Sequence, residues 1–279
     1  MIYRRGIQRI LVSGASSVMA DCQTQRFTSF ICVMKQRSDI QGLRGIAVLA
    51  VVFYHADLFF HGGFVGVDIF FVISGYVIFN SVLREYSVKR SISIRDFIAR
   101  RIHRLLPALS FMLIGTLLTS VFVLSPFGDQ QQVVRTSQAA SLFGANIYLA
   151  IQNSYFVLVN NPLRHTWTLA VEEQFYLFLI VLLYVIHHIS RKISTEFSRF
   201  VLTVVVSFGV VSFLLSLLFS FGNRMIPLPT RVAFFSMPTR AWEFSVGILI
   251  ALTETGRLRN RFGLMFSNLL SLMGISLIA

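Results

Sequence analysis

The sequence predicts an all-α fold: a polytopic integral membrane helical bundle of about seven spans, with no soluble domain. Of its 279 residues, 55% are hydrophobic and 13% charged, and the mean hydropathy is +0.70, more apolar surface than a soluble core needs. Two runs, 105–124 and 200–221, contain no charged residue, and each is long enough to cross ~30 Å of hydrocarbon. Lipid is therefore the expected solvent for most of the chain.

Apolar runs mark the expected spans in chain order. They lie at about 44–60, 64–83, 105–124, 169–189, 200–221, 241–254 and 264–279. Residues 1–33 form an N-terminal extension without signal-peptide features, and Met34 is a plausible true start, so that 1–33 need not be translated. The expected membrane domain is 34–279. Its last run stops at Ala279 without a polar flank, which predicts a C-terminally shortened domain.

The more polar stretch at 138–158 decides the expected topology. With a cytoplasmic N-terminus, the basic residues from position 84 onward fall 13 inside and 5 outside if the stretch does not span, against 11 and 7 if it does. Basic residues concentrate in cytoplasmic loops, which favours a surface or re-entrant segment on the outer face. Asn146, Gln152, Asn153 and Ser154 also suit an interface better than a lipid-facing helix.

Charge and cysteine content exclude other classes of function. The net charge of +13 comes from basic residues in short gaps between apolar runs, a loop pattern that topology explains better than a nucleic-acid partner. Cys22 and Cys32 precede the first span without metal-ligand spacing, and the histidines have no ligands at the usual distances along the chain, so no metal site is predicted.

Arg44 and His55 are charged or titratable residues inside the first expected span, where such groups are costly and often functional. Their separation of eleven residues returns them to within roughly 20° of one helix face, roughly 16 Å apart. An imidazole there can accept a proton from a hydroxyl near neutral pH. The structural alternative is a hydrogen-bonded packing histidine and a snorkelling arginine.

Two further candidate sites lie at the start of the second span and at the end of the cytoplasmic loop that follows that span. Asp68 follows three glycines in an apolar helix and either orients a histidine, pairs with an arginine, or simply complements the helix dipole. Arg101 and Arg104 share a helix face at i,i+3, with Arg100 pointing elsewhere. Paired guanidiniums suit the phosphates of a nucleotide-bearing acyl donor, although a purely topogenic cluster has the same spacing.

Two later motifs place polar groups near the outer ends of spans. In the first, Glu172 and Tyr176 are spaced i,i+4, with Trp167 at the expected membrane interface. Glu172 and Glu173 point to different faces, so one can face a cavity while the other reaches the headgroups. In the second, Arg240 can pair with Glu243 at i,i+3 or with Glu172 across helices.

Five motifs in one order resemble the acyltransferase-3 family of bacterial membrane O-acyltransferases. They are RSDIQGLRGIAVLAVVFYH at 37–55, GGFVGVDIFFVISGYVI at 62–78, FIARRIHRLLPAL at 97–109, HTWTLAVEEQFYL at 165–177 and TRAWEFSVG at 239–247. The family's arginine and histidine, separated by ten residues, fall on Arg44 and His55, and its RxxR motif on Arg101 and Arg104. Its block glutamate falls on Glu172, with Thr168 in place of the usual serine.

The resemblance implies a membrane O-acyltransferase with no permanently bound cofactor. Its donor is expected to be cytosolic acyl-CoA, often acetyl-CoA, and its acceptor a hydroxyl of lipopolysaccharide, exopolysaccharide, peptidoglycan or a similar envelope glycan. We expect a multi-pass protein of the bacterial inner membrane with a cytoplasmic N-terminus. Some members carry an extracytoplasmic hydrolase-like domain that completes transfer, which makes such a transferase an expected partner. The alternatives are a transporter or flippase of an envelope precursor, or an inactive acyltransferase fragment.

Overall fold

The computed structural model describes residues 38–58, 62–89, 91–152, 161–193, 197–221 and 227–255. The chain divides into two compact units, Met1–Gly42 and Leu43–Ala279, and every candidate site residue belongs to the second. The expected extension at 1–33, Met34, Asn153 and Ser154 lie outside the described residues.

Helices account for the regular structure of the described residues, which include no strand. A 3-10 turn at Gly63–Val65 precedes α2. The helices are α1 Ser38–His55, α2 Gly66–Lys89, α3 Ile94–Val123, α4 Asp129–Ser141, α5 Ala145–Ile151, α6 Thr166–Ile193, α7 Phe197–Phe221, α8 Pro227–Phe235 and α9 Met237–Thr255.

Four of the described helices are long and apolar enough to cross a membrane: Gly63–Lys89, Ile94–Val123, Thr166–Ile189 and Phe200–Phe221. They confirm the helices expected from four of the apolar runs. The expected total of about seven is not confirmed. Helices α1 and α9 are not among the four, and the run at 264–279 lies outside the described residues.

The polar stretch forms short helices where the structure describes it, over 138–152. It contains the end of α4 and the seven-residue α5, neither of which is long enough to cross the hydrocarbon core. Asn146 is buried inside the protein. Its Nδ2 donates to the Gln174 side chain at 3.1 Å and to the Phe235 carbonyl at 3.0 Å, so this amide joins α5 to α6 and α8.

The centre of the bundle is the crossing of α2 and α9. A Cβ on Gly75 would lie 2.2 Å from the Phe244 carbonyl oxygen, and one on Gly247 would lie 1.9 Å from the Val72 carbonyl oxygen. Glycine at both positions therefore permits backbone contact, as small residues do between membrane helices. Beside the crossing, the Phe244 ring stacks on Phe71 at 4.7 Å and on Phe175 at 4.2 Å, which brings α6 into the same core.

Candidate functional site

An arginine and two carboxylates join α2 to the start of α9. Arg240 Nη1 donates to Asp68 Oδ1 and to Glu243 Oε1, each at 2.6 Å. The guanidinium also lies 5.7 Å from the centroid of the Trp167 ring, so aromatic faces complete its surroundings. Of the two partners expected for Arg240, the structure selects Glu243 and adds Asp68, and Asp68 pairs with an arginine rather than with a histidine.

Glu172 of α6 lies beside Ser74, which is further along α2 than Asp68. Only 7% of its surface is exposed, and its Oε1 accepts hydrogen bonds from the Ser74 hydroxyl at 2.6 Å and from the Tyr176 hydroxyl. Tyr176 therefore holds Glu172 from one turn along α6, and Ser74 holds it from the neighbouring helix.

Arg101 reaches into the same region from α3. Its guanidinium lies 4.0 Å from the centroid of the Tyr176 ring, and its Nη1 lies 3.6 Å from Glu173 Oε1. Arg104 is exposed on the same helix and interacts electrostatically with Glu173. Arg100 instead pairs with Glu85 of α2, which confirms that it points away from the other two arginines.

Contacts along α1 fix its level against α2. The Arg44 guanidinium lies 5.2 Å from the centroid of the Phe70 ring. A Cβ on Gly66 would lie 2.5 Å from the Ala47 carbonyl oxygen, and one on Gly63 would lie 2.8 Å from Tyr54 Cβ. The helices therefore run antiparallel, with Arg44 about one turn into α2.

His55 is the last residue of α1 and is exposed. It therefore lies at a helix end, level with the turn before α2. Its Nδ1 lies 2.8 Å from the Val51 carbonyl oxygen. A carbonyl oxygen only accepts, so Nδ1 carries the hydrogen in this contact, and the lone pair of the neutral ring is on Nε2.

Most of the candidate residues lie along the first half of α2, in a region that we call the polar layer: Arg44, Asp68, Glu172, Tyr176, Arg240 and Glu243. Their contacts on α2 run from Asp68 to Ser74, about 9 Å along the helix axis. Arg101 borders the layer through Tyr176. The described contacts of His55 are with its own helix, at Val51 and Tyr54, so the structure does not bring it to Arg101 or Arg104.

Two side chains of this region, Ser74 and Gln174, were not singled out from the sequence. Ser74 lies within an apolar run, and nothing in that run signals a partner 98 residues away. Gln174 pairs with Asn146 through their side-chain amides. Glu173 was expected at either a cavity or the headgroups, yet it faces Arg101. The sequence VEEQFY, with three polar residues inside an apolar helix, was the available signal for the last two.

A cavity of about 780 Å³ lies away from the polar layer. It is formed by one face of α3, including Gly115 and Thr119, and by Asn161 and Pro162. None of the residues of the polar layer lines it. In the described part of the chain, no three histidine, cysteine, aspartate or glutamate side chains form a group that could hold a metal ion.

Comparison with known proteins agrees with the geometry of a membrane enzyme. The chain is 36% identical over 224 residues to the "Putative peptidoglycan O-acetyltransferase YrhL" of Bacillus subtilis, covering 76% of this chain and 32% of that protein. It is 34% identical over 222 residues to the "Peptidoglycan O-acetyltransferase OatA" of Listeria monocytogenes, covering 76% of this chain and 33% of that protein.

This chain therefore spans about a third of the length of the curated relatives that it matches. No solved structure matches it significantly. The model of the acyltransferase-3 family, described as "Acyltransferase domain", matches residues 37–279. The chain belongs to the acyltransferase-3 family.

Proposed function

We propose that this chain is the membrane-embedded part of an O-acyltransferase that moves an acyl group, with acetyl as the first to test, from cytosolic acyl-CoA to a hydroxyl of an envelope glycan. The polar layer carries the proposal, because buried carboxylates and guanidiniums inside apolar helices are costly and mark functional sites. Peptidoglycan is the first acceptor to test, since relatives carry that name. Lipopolysaccharide and exopolysaccharide are the other candidates.

In this proposal the donor lies along α2. Arg101 and Arg104 hold its phosphates, and Arg44 positions the arm that carries the thioester. The distance along the helix axis from the level of Ser74 to that of Gly63, where α1 nears its end, is about 16 Å. Coenzyme A has phosphates at one end and a thiol at the other, so an extended donor can pass Arg44 between the two levels. Acyl-CoA is a substrate here and not a bound cofactor.

The proposed chemistry is a single acyl transfer. His55 Nε2 removes the proton from the glycan hydroxyl as the hydroxyl oxygen attacks the thioester carbonyl. The new carbon–oxygen bond forms, the carbon–sulfur bond breaks, and the leaving coenzyme thiolate takes the proton back from His55. The hydrogen bond from Nδ1 to the Val51 carbonyl supports this role, because it leaves the basic lone pair on Nε2.

Substitution of His55 tests the proposal. General bases typically contribute about 10²–10⁴ in rate, so His55→Ala should reduce glycan O-acetate to background while the protein remains in the membrane. His188→Ala is a matched control, because His188 is also exposed and its Nδ1 lies 2.9 Å from the carbonyl oxygen four residues earlier. Full acetylation by His55→Ala would exclude the proposed role.

The assay should follow both products in membranes that contain acetyl-CoA with a labelled acetyl group. We expect label in the glycan fraction together with released coenzyme A thiol. Movement of an envelope precursor without release of thiol would support a transporter instead. Because the relatives are longer, the assay is run with this chain alone and with an extracytoplasmic hydrolase-like domain added as the expected partner.

A further inference from the structure

Arg101 and Glu173 form an ion pair that lacks a close hydrogen bond. The closest approach is 3.6 Å, between Arg101 Nη1 and Glu173 Oε1, and the exposed fractions of the two side chains are 21% and 14%. That oxygen is buried and accepts no hydrogen bond from the described residues. By comparison, Arg240 makes 2.6 Å hydrogen bonds to both of its carboxylates. The Arg101 pair thus has charge attraction without the directional bonds that make such pairs strong.

The same arginine has little else to hold it at this level. The Tyr176 ring contributes a cation–π contact at 4.0 Å, and the Phe97 ring lies at 5.9 Å. A guanidinium in an apolar region needs a counter-ion, and Glu173 is the acidic side chain in contact with it. Five N–H donors remain suited to a ligand that offers paired oxygens.

We propose that Glu173 is the resting counter-ion of Arg101 and is displaced when a donor phosphate binds. The inference rests on the proposed function, because it assumes that the donor carries phosphate. Glu173 is a positioning residue: its charge keeps Arg101 beside Tyr176 before the donor arrives. A phosphate then takes its place through charge-assisted hydrogen bonds, and Arg104 retains its electrostatic interaction with the released carboxylate.

If Glu173 competes with the donor phosphate for Arg101, removing the charge of Glu173 should strengthen donor binding. Glu173→Gln keeps the size of the side chain and removes the competing charge, so coenzyme A should bind several-fold more tightly. Product release should slow for the same reason, so that KM for acyl-CoA and kcat fall together. A residue that merely held Arg101 in a working position would weaken binding when its charge was removed.

Equilibrium binding of coenzyme A to the purified full chain in lipid nanodiscs tests this. Glu85→Gln is the matched control, because Glu85 is also 14% exposed and pairs with the adjacent Arg100; its affinity should equal that of wild type. Glu173→Gln should lower the Kd, and the gain should vanish when Arg101→Gln is added. If Glu173→Gln does not fold, Glu173→Asp, whose shorter carboxylate reaches less far, should also lower the Kd.

The possible failures are distinguishable. Equal or weaker binding by Glu173→Gln, with coenzyme A still bound by wild type, would overturn the counter-ion role and leave the proposed function standing. Absence of coenzyme A binding by wild type would overturn the donor assignment. A gain that persists in the Arg101→Gln background would show that Glu173 acts through some other group, which also contradicts the proposal.

Discussion

Arg240 shows how a charged residue can remain buried between membrane helices. One of its nitrogens bonds to two carboxylates, and aromatic rings from α2, α6 and α8 surround the guanidinium. Glu243 is only 1% exposed. Removing the arginine would leave two acidic groups without their cation in one apolar region. The loss of stability on its removal therefore measures how much it stabilises the bundle.

Arg240→Leu should strongly destabilise the bundle, by about 3–5 kcal/mol, because it leaves the buried Glu243 carboxylate and the partly exposed Asp68 carboxylate without their partner. Thermal unfolding of the protein in detergent would measure the loss. Adding Asp68→Asn and Glu243→Gln to Arg240→Leu removes those charges and should recover part of the stability. If the triple variant is no more stable than the single one, unpaired charge is not the cause.

At the scale of helices, steric fit decides the packing of α2 against α9. Gly75 and Gly247 meet backbone atoms of the opposite helix, whereas a Cβ on Gly115 of α3 would meet nothing within 4 Å. Substitution of glycine by alanine should therefore have opposite effects on stability at these positions. Alanine is favoured over glycine in a helix by about 1 kcal/mol, but the gain is realised only where there is space.

We expect Gly247→Ala to lower stability by about 1–3 kcal/mol through overpacking against the Val72 backbone. Gly115→Ala should leave the stability unchanged or raise it slightly. Thermal unfolding of the two variants side by side gives the comparison. Similar losses at both positions would mean that backbone contact between α2 and α9 does not control the fit.

At the scale of the whole molecule, sequence predicts more of the fold than of the site. Apolar runs located the four strongest membrane helices because the bilayer imposes both their length and their composition. The Arg240–Glu243 pair followed from i,i+3 spacing. The Asp68–Arg240 bond joins residues 172 positions apart, and Ser74–Glu172 joins residues 98 apart. Spacing along one helix cannot reveal such pairs, because they depend on which helices pack together.

The position of His55 depends on the same kind of information. Its eleven-residue separation from Arg44 is a property of one helix, but its position relative to the other helices depends on the register of α1 against α2. Contacts at Gly63, Gly66 and Phe70 determine that register. No residue pattern within α1 carries that register, and the structure places the histidine at the end of the helix.

Sidedness of the membrane domain is the remaining large-scale prediction. With Cys22 and Cys32 changed to serine, single cysteines at Ser91, Gln131 and His165, all exposed, can be labelled in intact cells made permeable only at the outer envelope. If α4 and α5 stay on one side, Gln131→Cys and His165→Cys react with a membrane-impermeant thiol reagent, and Ser91→Cys reacts only after lysis. The reason is that the chain crosses once, through α3, between positions 91 and 131, and not again before 165. Labelling of His165→Cys only after lysis, with Gln131→Cys labelled before, would place a crossing within 138–158 and reverse every later loop.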